Sequence, residues 1–118
     1  GKGLNDALKR ANAYSEAGSD LILIHSKSNT PNEVFSFAKK FKKSKYYKPI
    51  VLVPSSYSKT TETAMVDQGI KVVIYANHLL RASYKAMEQV AKNILKNERA
   101  FNVEKDILPI KDIISLIK

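Results

Sequence analysis

The sequence predicts an α/β fold built of parallel βα units, and three observations carry that expectation. Strand-like stretches rich in branched apolar residues begin at residues 21, 50 and 71, and each stops at a polar residue or a proline. The stretches between them are long enough for one amphipathic helix each, and such alternation implies parallel pairing with right-handed crossovers. The runs themselves, such as Leu21-Ile22-Leu23-Ile24, lack the in–out alternation of a half-exposed strand and read as strands buried on both faces.

Residues 4–17 predict the first helix, with Leu4, Leu8, Ala11 and Ser15 at three- and four-residue intervals. Gly18 ends it, because glycine takes the left-handed conformation without steric cost. Leu21–His25 is the first strand. A second helix is expected over Pro31–Phe41, with Thr30 as N-cap, Pro31 at the first helical position and Glu33 completing a capping box. Its buried stripe is read as Val34, Phe35, Ala38 and Phe41. Residues 44–49 form a polar loop, and Ile50–Val53 is the second strand, stopped by Pro54.

Thr60 or Thr61 caps a third helix that Gly69 closes, and the third strand falls at about 72–76, before Asn77-His78. A longer helix, Leu79–Leu95, presents Leu80, Tyr84, Met87, Ala91 and Ile94 on one face. Residues 97–108 are read as an irregular connection, and residues 109–118 as a terminal helix led by Pro109. Three strands make a poor independent sheet. The outer two would be edges, yet their sequences are those of central strands, so further strands are expected, from the parent protein or from another chain.

The 118 residues suffice for one domain with a modest core. There is no cysteine, hence no disulfide framework or thiolate metal site. No signal-peptide pattern and no apolar run of membrane-spanning length is present. A cytoplasmic location is therefore expected, without a membrane partner. The formal charge is +9, but only three of the 20 basic residues are arginine, the residue best suited to bidentate base or phosphate recognition. The lysines gather between Lys39 and Lys48 and read first as a solvated face. Nucleic acid is thus an unlikely partner, although a non-catalytic basic α/β binding module stays open as an alternative.

The chemistry-bearing positions lie at strand ends. His25 stands at the carboxyl end of the first strand, the edge at which parallel α/β folds bind ligands. A lone histidine there is as readily a capping group as a ligand. Ser26 and Lys27 follow on the same loop and are read first as solvent-exposed. Asn77 ends the third strand and reads as a residue that holds the strand-to-helix turn through its backbone. Arg81, one turn into the helix, is expected to pair structurally. Tyr57 and Lys59 border the same edge without an assignable role. No nucleotide loop, paired-carboxylate site or metal cluster is visible.

Taken in order, "ALKRANAYSEAGSD", "LILIHSK", "VLVPSSYSKT" and "VVIYANHLLRAS" resemble the carboxyl-terminal part of the phosphoenolpyruvate phosphomutase family, in the isocitrate lyase superfamily of (β/α)8 barrels. The resemblance implies that Leu21–His25, Ile50–Val53 and Val72–Ala76 are barrel strands six, seven and eight. It also implies a reaction that interconverts phosphoenolpyruvate and phosphonopyruvate, as in phosphonate biosynthesis. Mg2+ would serve the complete enzyme, with its acidic ligands, the nucleophilic aspartate and a substrate-binding arginine on the first five strands, outside this chain. His25 would donate a hydrogen bond to the phosphoryl group, with Ser26, Lys27 and Asn77 as second-line candidates. Lyase members typically carry an acid at the His25 position, so the match points to the phosphonate-handling branch. Phosphonopyruvate hydrolase, with the same barrel, is the nearest alternative. The resemblance further implies a homo-oligomer with possible exchange of helix 79–95, and a fragment inactive by itself.

Overall fold

The computed structural model describes residues 2–117. In chain order it contains α1 (Gly3–Glu16), β1 (Ile22–Ile24), α2 (Asn32–Phe41), β2 (Ile50–Leu52), α3 (Glu62–Asp67), β3 (Ile70–Val73), α4 (His78–Asn97), a 3-10 helix (Phe101–Asp106) and α5 (Ile110–Leu116). Where the sequence reads as one domain, the chain forms two compact units that divide between Ala76 and Asn77. The alternation of strands and helices is the one expected. Lys118, placed by the sequence at the end of the terminal helix, lies outside the described residues.

In the first unit the strands pair in parallel in the order β1-β2-β3. Each ladder is shorter than its apolar run, because an edge strand pairs only where its single neighbour is present. Ile22 pairs with Ile50 and Ile24 with Leu52. On the other side Ile70 pairs with Ile50 and Val72 with Val51, across an irregularity between Ile50 and Val51. β3 begins at Ile70, ahead of the expected 72, and beyond its last paired residue Ile74 still donates its N–H to the Leu52 carbonyl at 2.8 Å.

One face of the sheet carries Ile22, Ile50, Leu52 and Ile70. These pack with Ala11 of α1, with Val34, Phe37, Ala38 and Phe41 of α2, and with Met65 of α3 in a single core. The rings of Phe37 and Phe41 stack at 5.3 Å, and Tyr47 tilts against Phe41 at 5.7 Å. Burial of each such ring stabilises the fold by roughly 2–3 kcal/mol. The buried stripe of α2 includes Phe37, not Phe35, which is only partly covered. Positions 34, 37, 38 and 41 follow the 3.6-residue period, and Phe35 sits one step round the helix. Polar contacts fasten the next loop to α1: Ser44 donates to Asn12, whose Nδ2 donates to the Leu8 carbonyl at 3.0 Å, and Tyr46 donates to Glu16.

The helix ends are less uniform than the sequence implies. Gly18 takes φ +107° and lets Ser19 N–H return to the Tyr14 carbonyl at 3.0 Å. Thr61, not Thr60, caps α3 by accepting from Ala64 N–H at 3.2 Å. No capping box forms at α2. Helix geometry begins at Asn32, Pro31 stands in the cap position without a side-chain bond, and the Glu33 carboxylate is engaged by Ser26.

In the second unit α4 runs from His78 to Asn97 and buries none of its residues. The stripe expected on its face is bare, with Leu80 70% and Met87 62% exposed. The segment expected to be irregular is partly a 3-10 helix, and it buries Val103. Pro109 opens α5 as expected, its carbonyl accepting from Ile113 N–H at 3.1 Å. Among the described residues no helix is long and apolar enough to cross a membrane.

The register of α2 is directly testable. Phe37→Ala should cost about 3–5 kcal/mol, the range for an emptied core aromatic, and Phe35→Ala less than half of that. Urea unfolding midpoints of the two variants measure the difference, and equal losses would contradict the assigned stripe.

Candidate functional site

The site is built from the end of β1 outward. β1 is anchored where Ile22 N–H donates to the Pro49 carbonyl at 3.0 Å. Ile22 faces the core, so strand alternation places Leu23 on the other side of the sheet. His25 follows two positions later with the same parity, just past the last paired residue, and it is exposed. A cavity of about 680 Å³ opens here between the amino end of α1, the loop after β1 and the first turn of α2. Its floor is apolar, with Ile24, Val34 and Phe37, and its rim carries Lys2, Arg10, His25, Lys27 and Glu33.

His25, Ser26 and Lys27, which the sequence singles out, therefore line one cavity. Their roles in it differ. His25 and Lys27 are exposed, whereas Ser26 is buried, against the expectation of solvent exposure. Ser26 is drawn in because its hydroxyl donates to Glu33 Oε2 and accepts from Ser28 N–H at 3.0 Å. Asn77 opens the second unit in the N-cap position of α4. Its backbone carbonyl accepts from Arg81 N–H at 3.0 Å, and its side chain makes no capping bond. That carbonyl bond is the first of the α4 ladder, which any residue in the cap position would accept. Arg81, expected to pair, makes no ion pair among the described residues, whose pairs are Arg10–Asp6 and Lys92–Glu88.

Sequence reasoning missed two cations of this cavity. Lys2 and Arg10 belong to the amino-terminal segment, read only for its apolar stripe. Arg10 Nε donates to Asp6 Oδ2 at 2.9 Å, one helical turn earlier. The i,i+4 spacing of Asp6 and Arg10 was the available signal. Tyr57, read as a possible border of the site, is instead a core residue, 1% exposed. Burial raises its phenol pKa above the usual tyrosine value, so it stays neutral. Lys59 is exposed.

Chemically, the cavity presents an imidazole, two ammonium groups and a guanidinium around an apolar floor. Such a set suits a small anion with several oxygens. Among the described residues no three His, Asp or Glu side chains come together as metal ligands. These residues offer no ligand set for a resident metal ion.

The chain matches the family model described as phosphoenolpyruvate phosphomutase over residues 1–95. It is 38% identical to the phosphoenolpyruvate phosphomutase of Tetrahymena pyriformis over 98% of this chain and 38% of that protein. Among solved structures it is similar to the phosphoenolpyruvate phosphomutase of Streptomyces platensis subsp. rosaceus, with a TM-score of 0.89, 37% identity, and coverage of 98% of this chain and 39% of that one. It is also similar to a phosphonopyruvate hydrolase solved with oxalate and Mg++, with a TM-score of 0.87, 36% identity, and coverage of 97% and 40%. The chain thus spans about two fifths of the length of the relatives it matches.

Proposed function

Given that the chain belongs to the phosphoenolpyruvate phosphomutase family, we propose that it is the carboxyl-terminal part of an enzyme that interconverts phosphoenolpyruvate and phosphonopyruvate. The single observation that carries this reading is the placement of His25 at the carboxyl end of β1, on the rim of a cavity that also carries the cations Lys2, Arg10 and Lys27. In the proposed reaction the bond between phosphorus and the C2 oxygen breaks and a bond from phosphorus to C3 forms. Nothing is gained or lost, and no net proton moves. Such transfers depend mainly on positioning and on stabilising the charge of the phosphoryl oxygens. His25 is assigned to donate a hydrogen bond to one of these oxygens, and Lys27 to add positive charge beside it.

Mg2+ use by the complete enzyme belongs to the same reading, supported by the hydrolase structure that contains this ion. Its ligands are assigned to parts of the protein outside this chain. A cytoplasmic location goes with it, because small multiply charged substrates do not cross membranes unaided.

Phosphonopyruvate hydrolase is the second reading, favoured by the nearly equal likeness to that enzyme. There water would cleave the carbon–phosphorus bond to give phosphate and pyruvate. Incubating the complete protein with phosphonopyruvate separates the two: phosphoenolpyruvate as product supports the mutase, and phosphate plus pyruvate the hydrolase. Membership of a family named for an enzyme weighs against a non-catalytic basic module.

Three outcomes are expected. His25→Ala in the complete protein should lower kcat on the order of a hundredfold or more, the usual effect of losing one charge-stabilising donor, with an unchanged circular dichroism spectrum. Near-normal turnover would remove His25 from the site. The 118-residue chain by itself should convert no phosphonopyruvate, with or without magnesium, as judged by phosphorus NMR. Finally, the bare stripe of α4 (Leu80 70% and Tyr84 66% exposed) and the open strand edges should make the chain self-associate, by exchange of that helix, by edge pairing, or by both. Sedimentation at micromolar concentration should give a mass above 13.2 kDa. A single, concentration-independent species of that mass would contradict self-association.

A further inference from the structure

Ser26 lies between His25 and Lys27, yet its side chain is spent inward. It is 7% exposed. A serine hydroxyl has one proton to donate, and here the proton goes to Glu33 Oε2 in the first turn of α2. A lone pair of Ser26 Oγ takes Ser28 N–H at 3.0 Å. Ser28 Oγ in turn accepts from Thr30 N–H at 3.2 Å and lies 3.2 Å from Thr30 Oγ1. The Ser26 hydroxyl therefore ties the loop after β1 to Glu33 of α2, and the Ser28 hydroxyl makes a further local turn with Thr30. The Ser26 proton is not available to a ligand while that bond stands.

We propose that Ser26 and Glu33 are positioning residues that hold the loop after β1, so that His25 and Lys27 are presented to the cavity in one orientation. Loops carry functional groups well only when a rigid element fixes them, and here the fixed element is α2. Its amino-terminal turn also favours the negative charge of Glu33. Misplacement of a catalytic group by about 1 Å costs roughly a hundredfold in rate, so a loop released from Glu33 would lose turnover without losing the fold. The kinetic part of this proposal rests on the function assigned above, and the conformational part stands without it.

The conformational arm uses this chain, labelled with 15N and 13C. Ser26→Ala and Glu33→Ala should lower the heteronuclear NOE at Ser28, Asn29 and Thr30 and shift the His25 imidazole signals. The core amides should stay in place, and Glu33→Gln, which keeps an acceptor for Ser26, should retain most of the native pattern. The kinetic arm uses the complete protein with phosphonopyruvate. There kcat should fall tenfold or more in both alanine variants, with KM changed less, and Glu33→Gln should recover within about threefold of the parent. Unchanged NOE values and imidazole signals in the alanine variants would overturn the proposal whatever the reaction is. Variants whose loops loosen but whose kcat stays within twofold would overturn it as well. If the unmutated complete protein converts phosphonopyruvate by neither route, the assigned function fails, and the NMR arm alone decides the role of Ser26 and Glu33.

Discussion

A parallel sheet has two faces to bury, and in the first unit α1, α2 and α3 pack together on one of them. Ile22, Ile50, Leu52 and Ile70 meet α1, α2 and α3 in a closed core. The opposite face is as apolar; the central Val51 is buried there, yet on the outer strands Leu23 is 55% and Val72 38% exposed. In a closed eight-stranded barrel that second face is interior and is filled by layers of side chains from all the strands. The likeness to enzymes of the barrel superfamily accounts for the open face, since the chain spans only about two fifths of their length. The same geometry sets the site. His25 has the parity of that second face and stands just past the last paired residue of β1, at the carboxyl edge of the sheet, where it also borders the cavity.

The architecture was legible because the three apolar runs and the turn residues between them point to one answer. Gly18 and Gly69, both at positive φ, and Thr61 at the head of α3 each do what their chemistry implies. The parts that were not legible involve competition between partners at close range. Phe35 and Phe37 have the same affinity for a core, and only the exact phase of α2 separates them. At the head of that helix Thr30 and Glu33 stand at capping-box spacing. The spacing cannot show that Ser26, seven residues before Glu33, offers the carboxylate a hydroxyl on a folded loop. Ser, Thr and Asn side chains bond locally in several equivalent ways, and tertiary placement chooses among them.

The site was legible to the same degree. His25 could be placed at a functional edge from strand pattern alone, because the end of a strand is a one-dimensional feature. Arg10 and Lys2 could not, because they reach the cavity from a helix that precedes β1 in the chain and meets it only in space. Tyr57 failed in the opposite sense. A tyrosine in a polar loop at the functional edge reads as a surface group, yet it is buried in the core. An amphipathic ring fits either environment, so its sequence neighbours carry little information about its burial.

The electrostatics of the cavity follow from where the acids are committed. Its rim carries Lys2, Arg10, His25 and Lys27 against one carboxylate, Glu33. A glutamate in such a position would ordinarily pair with the nearest ammonium and cancel it. Here the Glu33 carboxylate takes its bond from a neutral hydroxyl, Ser26, and lies on the amino-terminal turn of α2. Asp6 likewise binds only Nε of Arg10, one edge of the guanidinium fork. Among the described residues Lys27 enters no ion pair. The acids therefore orient the rim without neutralising all of it, and the surplus positive charge is left for an anionic ligand. Satisfying a carboxylate with a hydroxyl and a helix terminus is thus part of how this small segment can hold both a fixed loop and an electropositive mouth.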